Sequence, residues 1–263
     1  MTNNATTLTS ENALQAIARR YSDKRLSWAP VIAFLPARFF FAFLAETITA
    51  GLLWLQGVPD PWQASYGWWM VYGTLTDIGC LALLVWLTRR EGIGVFDLLG
   101  LDHERLGKQL KYFPGYFGAF LVPVALTFVI SGAFYGSELA PQVAAIHVPL
   151  WAKIYSVVIW PVIWCFTEDV VYLGYLLPRL EVRTKRPWLA GCIVVLFWGM
   201  QHFVIPFIPD ARYLISRFIT ALMTVGGLTL IFRVWGRRLI AAIGVHWVSD
   251  VLAALLANFL AGG

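Results

Sequence analysis

The sequence predicts an all-α fold: a polytopic transmembrane helical bundle of about seven spans, preceded by an N-terminal interfacial helix. Three observations predict it. First, 59% of the 263 residues are hydrophobic and 13% are charged, which leaves too little polar surface to cover a water-soluble globule of this size. With 13 Trp, 10 Tyr and 18 Phe besides, lipid must be the solvent for much of the chain. Second, a hydrocarbon core of about 30 Å needs about 20 apolar helical residues, and seven segments meet or approach that length. Third, Lys and Arg are retained on the cytoplasmic side of a membrane, and the basic residues here alternate between successive connections.

Taken in order, residues 11–21 place Ala13, Leu14, Ile17 and Tyr21 at helical spacing, the pattern of a helix lying on the cytoplasmic surface. Span one covers 37–57 and opens with the aromatic run Phe39 to Phe43, a membrane-interface anchor. Span two covers 68–88, with Trp68 and Trp69 as its anchor, and span three covers 113–134 without a charged residue. Spans four to seven cover 150–178, 188–206, 213–232 and 239–260. The connections Gly57 to Pro61, Arg89 to Lys111 and Arg179 to Pro187 carry the Pro, Gly and charge that end spans.

The basic residues support this count. The N-terminus and the start of span one hold Arg19, Arg20, Lys24, Arg25 and Arg38, and the second connection holds Arg89, Arg90, Arg105, Lys108 and Lys111. The fourth holds Arg179, Arg183, Lys185 and Arg186, and the sixth Arg233, Arg237 and Arg238, leaving only Lys153, Arg212 and Arg217 on the other side. The expected localisation is therefore the cell membrane, multi-pass, with the N-terminus cytoplasmic and the C-terminus outside. Residues 1–36 read as a cytoplasmic segment with an amphipathic helix, and 37–263 as a single transmembrane domain. No cleaved signal peptide is evident after the polar stretch Met1 to Ser10. The net charge of +5 is scattered between apolar runs, which argues against nucleic acid as a partner. Cys80, Cys165 and Cys192 are odd in number and sit in apolar segments, so no disulfide framework is implied.

A charge at mid-bilayer costs about 2.5 to 3.5 kcal/mol on insertion scales, so each one inside a span needs a partner or a task. Those residues, with the histidines, are Glu46, Asp77, Glu168, Asp169, His202, His246 and Asp250, with Arg217 near the outer end of span six. Glu46 and Asp77 stand in no motif and read as structural, paired with Arg38 or with each other. Counted from the cytoplasmic ends of their spans at ~1.5 Å per residue, Glu168, His202, His246 and Asp250 lie roughly 15, 21, 10 and 16 Å deep. Three helices can thus present two carboxylates and two imidazoles to one buried cavity. His246 and Asp250 share a helix face at i, i+4, and Trp198 stands one turn before His202. A carboxylate and an imidazole with a water between them make a general-base system, and a second imidazole with an acid can serve an oxyanion. The grouping fits hydrolysis of an acyl bond.

The same residues carry a resemblance. Glu168-Asp169-Val-Val-Tyr-Leu-Gly174 resembles Glu-Glu-x-x-x-Arg-Gly, the first motif of the CPBP family, the CAAX proteases and bacteriocin-processing membrane proteins also called Abi. Trp198-Gly-Met-Gln-His202 is similar to the second, Phe-x-x-x-His, and His246-Trp-Val-Ser-Asp250 to the third, His-x-x-x-Asn or Asp. Order, spacing and intramembrane placement agree over about 150–260, and the stretch Phe96 to Leu101 is similar to a weaker family feature. The resemblance implies an intramembrane glutamate-type peptidase in which Glu168 and His202 activate water while His246 and Asp250 stand on the oxyanion side, with Asp169 and Trp198 supporting. It also implies substrates that are membrane-associated peptides or proteins, cut near a prenylated C-terminus in eukaryotic members and serving peptide maturation, immunity or regulation in bacterial ones. Three positions depart from the motifs: Asp169 replaces the second Glu, Trp198 replaces Phe, and Leu173 replaces the Arg whose charge would counter the acidic pair. No cofactor is called for, although Glu168, His202, His246 and Asp250 are acceptable zinc ligands, which makes a metal-dependent membrane protease one alternative. A non-catalytic binding or immunity protein on the same scaffold and a proton-coupled transporter using Glu46, Asp77 and Glu168 are the others.

Overall fold

A computed structural model describes residues 10–100 and 103–260. Residues 1–9, where the signal-peptide reading falls, Leu101 of the Phe96 stretch and the side chain of Arg105 lie outside the described residues. Among the described residues every regular element is helical, and seven helices are long and apolar enough to cross a membrane: Ala37–Leu55, Pro61–Arg90, Phe113–Tyr135, Leu150–Thr184, Pro187–Val204, Ala211–Val234 and Leu239–Phe259. These are the seven expected segments. The fourth is the axis of the bundle, 56% buried along its most apolar stretch, whereas the third is 6% buried and faces outward.

The fourth span has the burial of a central helix because its neighbours surround it. The part Trp160–Asp169 packs against spans two and seven, and Leu177–Thr184 packs against span five and the N-terminal helix Ser10–Ser22. Pro161 interrupts the span at Ile159, since proline has no N–H to continue the ladder. Below Asp169 the chain winds as a π-helix over Val170–Leu176 before returning to α geometry at Leu177–Thr184. Such wide turns leave backbone groups out of α register and recur at functional sites. Gly174 lies in this wide turn because an added Cβ there would stand 3.0 Å from Leu239 Cδ2 and 3.7 Å from Leu98 Cβ. The third and sixth spans meet still more closely, where Gly227 lets the ring of Pro123 in.

Span one is preceded by a separate helix, Trp28–Phe34, and the two are divided at Leu35 and Pro36. Val31 and Phe34 of this short helix are buried, and Phe34 meets the ring of Tyr175 at 5.9 Å. The short helix thus packs beside the lower end of span four. Ala37 consequently begins well inside the bundle.

The apolar core is two clusters. One gathers Ile17, Phe34, Leu84, Tyr172 to Leu177, Trp198 and Ala241 to Val245. The other gathers Ala42, Tyr72, Trp164, Val204, Ile205 and Ala254. On five spans the chain passes from one cluster to the other through polar residues: Arg38, Asp77, Glu168 with Asp169, Gln201, and His246 with Asp250. A single polar layer therefore separates two apolar ones.

The basic connections gather at one end. Arg20 of the N-terminal helix reaches Glu91 at 3.2 Å, Arg179 pairs with the same carboxylate at 2.5 Å, and Arg237 pairs with Glu181 at 2.7 Å. The N-terminus and the second, fourth and sixth connections are thus neighbours.

Candidate active site

Glu168 is the last residue but one of Trp160–Asp169, the upper α-helical part of span four, and is 1% exposed. Its carboxylate is held by three donors from spans one and five. Trp198 Nε1 donates to Oε2 at 2.7 Å, Arg38 Nη2 donates to Oε1 at 3.2 Å, and Gln201 Nε2 also donates to Oε1. A carboxylate offers about four lone-pair sites, so these three donors leave one, on Oε2. His246 Nε2 lies 3.9 Å from that oxygen.

His246 is the meeting point of three acids. Its Nδ1 lies 3.1 Å from Asp169 Oδ1, and its Nε2 lies 3.5 Å from Asp250 Oδ2 as well as 3.9 Å from Glu168. A carboxylate oxygen facing Nδ1 fixes that nitrogen as the donor, so Asp169 sets the ring's orientation and directs Nε2 toward Glu168. The adjacent pair Glu168-Asp169 thus divides its work, one acid facing span five and the other span seven. His246 and Asp250 keep 13% and 16% of their side-chain surface exposed, whereas Asp169 has none. The reachable edge of the site is on span seven.

His202 stands apart from this set. It lies on the tight last turn of span five, Gln201–Val204, and its Nδ1 faces the carbonyl of Trp198 at 3.1 Å. A carbonyl only accepts, so Nδ1 carries the proton and Nε2 is the free nitrogen. The ion pairs of Glu168 are to Arg38 and His246 and do not include His202. The structure thus joins Glu168, Asp169, Trp198, His246 and Asp250 directly, with His202 connected through the backbone of Trp198.

Two residues outside the expected set complete the layer. Gln201 accepts from Arg38 Nε at 2.7 Å while donating to Glu168; its place immediately before His202 was the only signal the sequence offered. Arg38, counted with the cytoplasmic basic residues by its position, is instead fully buried and also pairs with Asp77 at 2.8 Å. The reason is the break at Leu35 and Pro36, which starts the span at the level of the polar layer. Asp77 is therefore paired with Arg38 as anticipated. Glu46 is not: its Oε2 accepts from the backbone N–H of Phe207 at 2.8 Å, in the second apolar cluster. Leu173 is 1% exposed and packs in the first cluster.

Trp198, completely buried, stacks on Tyr172 with centroids 5.0 Å apart, and its centroid lies 6.1 Å from that of His246. It is more than an aromatic wall, because the indole N–H gives Glu168 a donor that phenylalanine lacks. Among the described residues no group of three or more His, Cys, Asp or Glu is arranged to hold a metal ion. Chemically, a buried carboxylate with one free lone pair beside an oriented imidazole can take a proton from a water and present a donor to an adjacent oxygen.

No curated protein and no solved structure is matched by this chain. Residues 148–252 match the family model described as type II CAAX prenyl endopeptidase Rce1-like. That segment holds all three motifs, from Glu168 to Asp250, while Arg38 and Asp77 of the polar layer lie before it. Through it, the C-terminal part of this seven-span membrane protein is similar to the Rce1-like CAAX prenyl endopeptidases.

Proposed function

We propose that this protein is an intramembrane endopeptidase that hydrolyses a peptide bond of a membrane-associated protein or peptide. Glu168 is the general base toward water, assisted by His202 through its free Nε2. His246, as an imidazolium, donates through Nε2 to the oxyanion, and Asp169 and Asp250 supply its counter-charges. Asp250 then acts through His246 and not on the oxyanion itself. The observation that carries this reading is the 3.9 Å separation of Glu168 Oε2 and His246 Nε2. That is too long for a direct hydrogen bond and suits two groups that share a water. The bundle is oriented with its gathered basic end in the cytoplasm.

The test uses the purified protein in lipid nanodiscs with two internally quenched peptides, identical except that one carries a farnesylated cysteine near its C-terminus. The prenyl group is chosen because the matched family is described by it. Cleavage located by mass spectrometry is expected for the wild type and absent in Glu168→Gln with the helical fold retained. Cleavage that survives Glu168→Gln would overturn the reading, and loss of cleavage on adding a chelator would replace it with a metal-dependent protease.

A further inference from the structure

Arg38 is the most committed side chain in the polar layer. None of it is exposed. Its Nε donates to Gln201, its Nη1 to Asp77 and its Nη2 to Glu168, at 2.7, 2.8 and 3.2 Å, while its guanidinium carbon sits 4.7 Å from the centre of the Trp164 ring. Gln201 also donates to Glu168, which closes a ring of three side chains. A planar fork of donors holds its acceptors in fixed directions, so the Glu168 carboxylate cannot turn without breaking two contacts. Stability alone does not account for such an arrangement, because well-packed apolar residues of similar volume usually serve a core as well as a buried ion pair does. Span four, meanwhile, carries Leu173 at the place where the motif has its arginine, and this leucine packs among apolar neighbours.

We propose that Arg38 is a positioning residue for the endopeptidase site: its guanidinium, delivered by span one, orients Glu168 in place of the motif arginine that span four lacks at Leu173. Asp77, from span two, balances and aims the guanidinium. The working site then extends beyond the matched segment 148–252 and requires the first two spans. This inference rests on the endopeptidase reading for its kinetic arm and is independent of it for its stability arm.

Both arms use the full chain in nanodiscs, with the two quenched peptides as substrates and thermal melting as a second readout. Arg38→Leu is expected to lower kcat about 100-fold, the scale of a 1 Å misplacement, with KM little changed. Arg38→Lys, which keeps a charge against Asp77 and serves where leucine prevents folding, should fall between. Arg38→Leu combined with Leu173→Arg should regain activity over Arg38→Leu alone, a rescue that a purely structural role does not give. In melting, Arg38→Leu with Glu168→Gln should be no less stable than Arg38→Leu, since the second change removes the acid left unpaired by the first. An unchanged kcat in folded Arg38→Leu, or melting losses that simply add, would overturn the proposal. A wild type that cleaves neither peptide would end the endopeptidase reading, and the melting comparison would still decide whether Arg38 holds Glu168.

Discussion

The indole N–H of Trp198 donates to Glu168 Oε2 at 2.7 Å, across 30 residues and between two spans. Since the motif residue at this position is phenylalanine, the bond is an addition that this chain makes to the scheme. Trp198→Phe keeps the stacking partner of Tyr172 and removes the donor. A hydrogen bond to a charged group contributes about 1.5 to 3 kcal/mol, so the variant should melt earlier by that margin and turn over more slowly. Equal melting and kcat for the two proteins would show the bond to be idle.

Asp169 faces Nδ1 of His246 at 3.1 Å and has no exposed surface. Asp169→Asn preserves shape but offers an amide that can present either a donor or an acceptor to the ring. The imidazole then loses its fixed orientation, and kcat should fall about 100-fold, as for a small misplacement of a reacting group. Substrate binding should change little, so the effect is expected in kcat and not in KM.

Glu91 is a second buried junction, far in sequence from the motifs. Its oxygens accept from Arg179 Nε at 2.8 Å and Nη2 at 2.5 Å, from Tyr175 Oη at 2.8 Å, and pair with Arg20 at 3.2 Å. Breaking one partner of a buried pair costs about 3 to 5 kcal/mol because the other charge is left uncompensated. Glu91→Gln should destabilise the protein on that scale. It should also free the helix Ser10–Ser22, read as faster trypsin cutting at Arg19 and Arg20; unaltered cutting would mean that apolar packing at Ile17 holds the helix by itself.

Glycines in the spans divide by what surrounds them. A Cβ at Gly227 would fall 2.6 Å from Cγ of Pro123, a ring that cannot swing away, whereas one at Gly118 meets nothing within 4 Å. Gly227→Ala is expected to cost about 1 to 3 kcal/mol as overpacking. Gly118→Ala, in the open middle of a helix, should be neutral or stabilising by up to about 1 kcal/mol. Melting of the two variants side by side checks the contrast.

Orientation can be read with two exposed positions at opposite ends, Asp60 and Lys185. With the basic end in the cytoplasm, Asp60→Cys in intact cells should react with a membrane-impermeant maleimide and Lys185→Cys only after permeabilisation. The reverse pattern would invert the topology.

The sequence alone determined the number of spans and the identity of the catalytic candidates, and the physical reasons are local. A bilayer demands about 20 apolar residues per crossing, and intramembrane charges are too expensive to leave without partner or task; both rules act on contiguous residues. Glu168, Asp169, His246 and Asp250 were legible for that reason, and His246 with Asp250 were placed on one face by helical spacing. What only the tertiary structure decided is who holds whom. Arg38 and Glu168 are 130 residues apart, and no periodicity links them. By its position near the start of a span Arg38 counts with the cytoplasmic basic residues, whereas the break at Leu35 and Pro36 sets it at the level of the polar layer. Likewise the placement of spans five and seven around span four decides that Glu168 meets Trp198 and Gln201 while Asp169 meets His246. A sequence can state that buried charges must be compensated; the packing of helices chooses the partner.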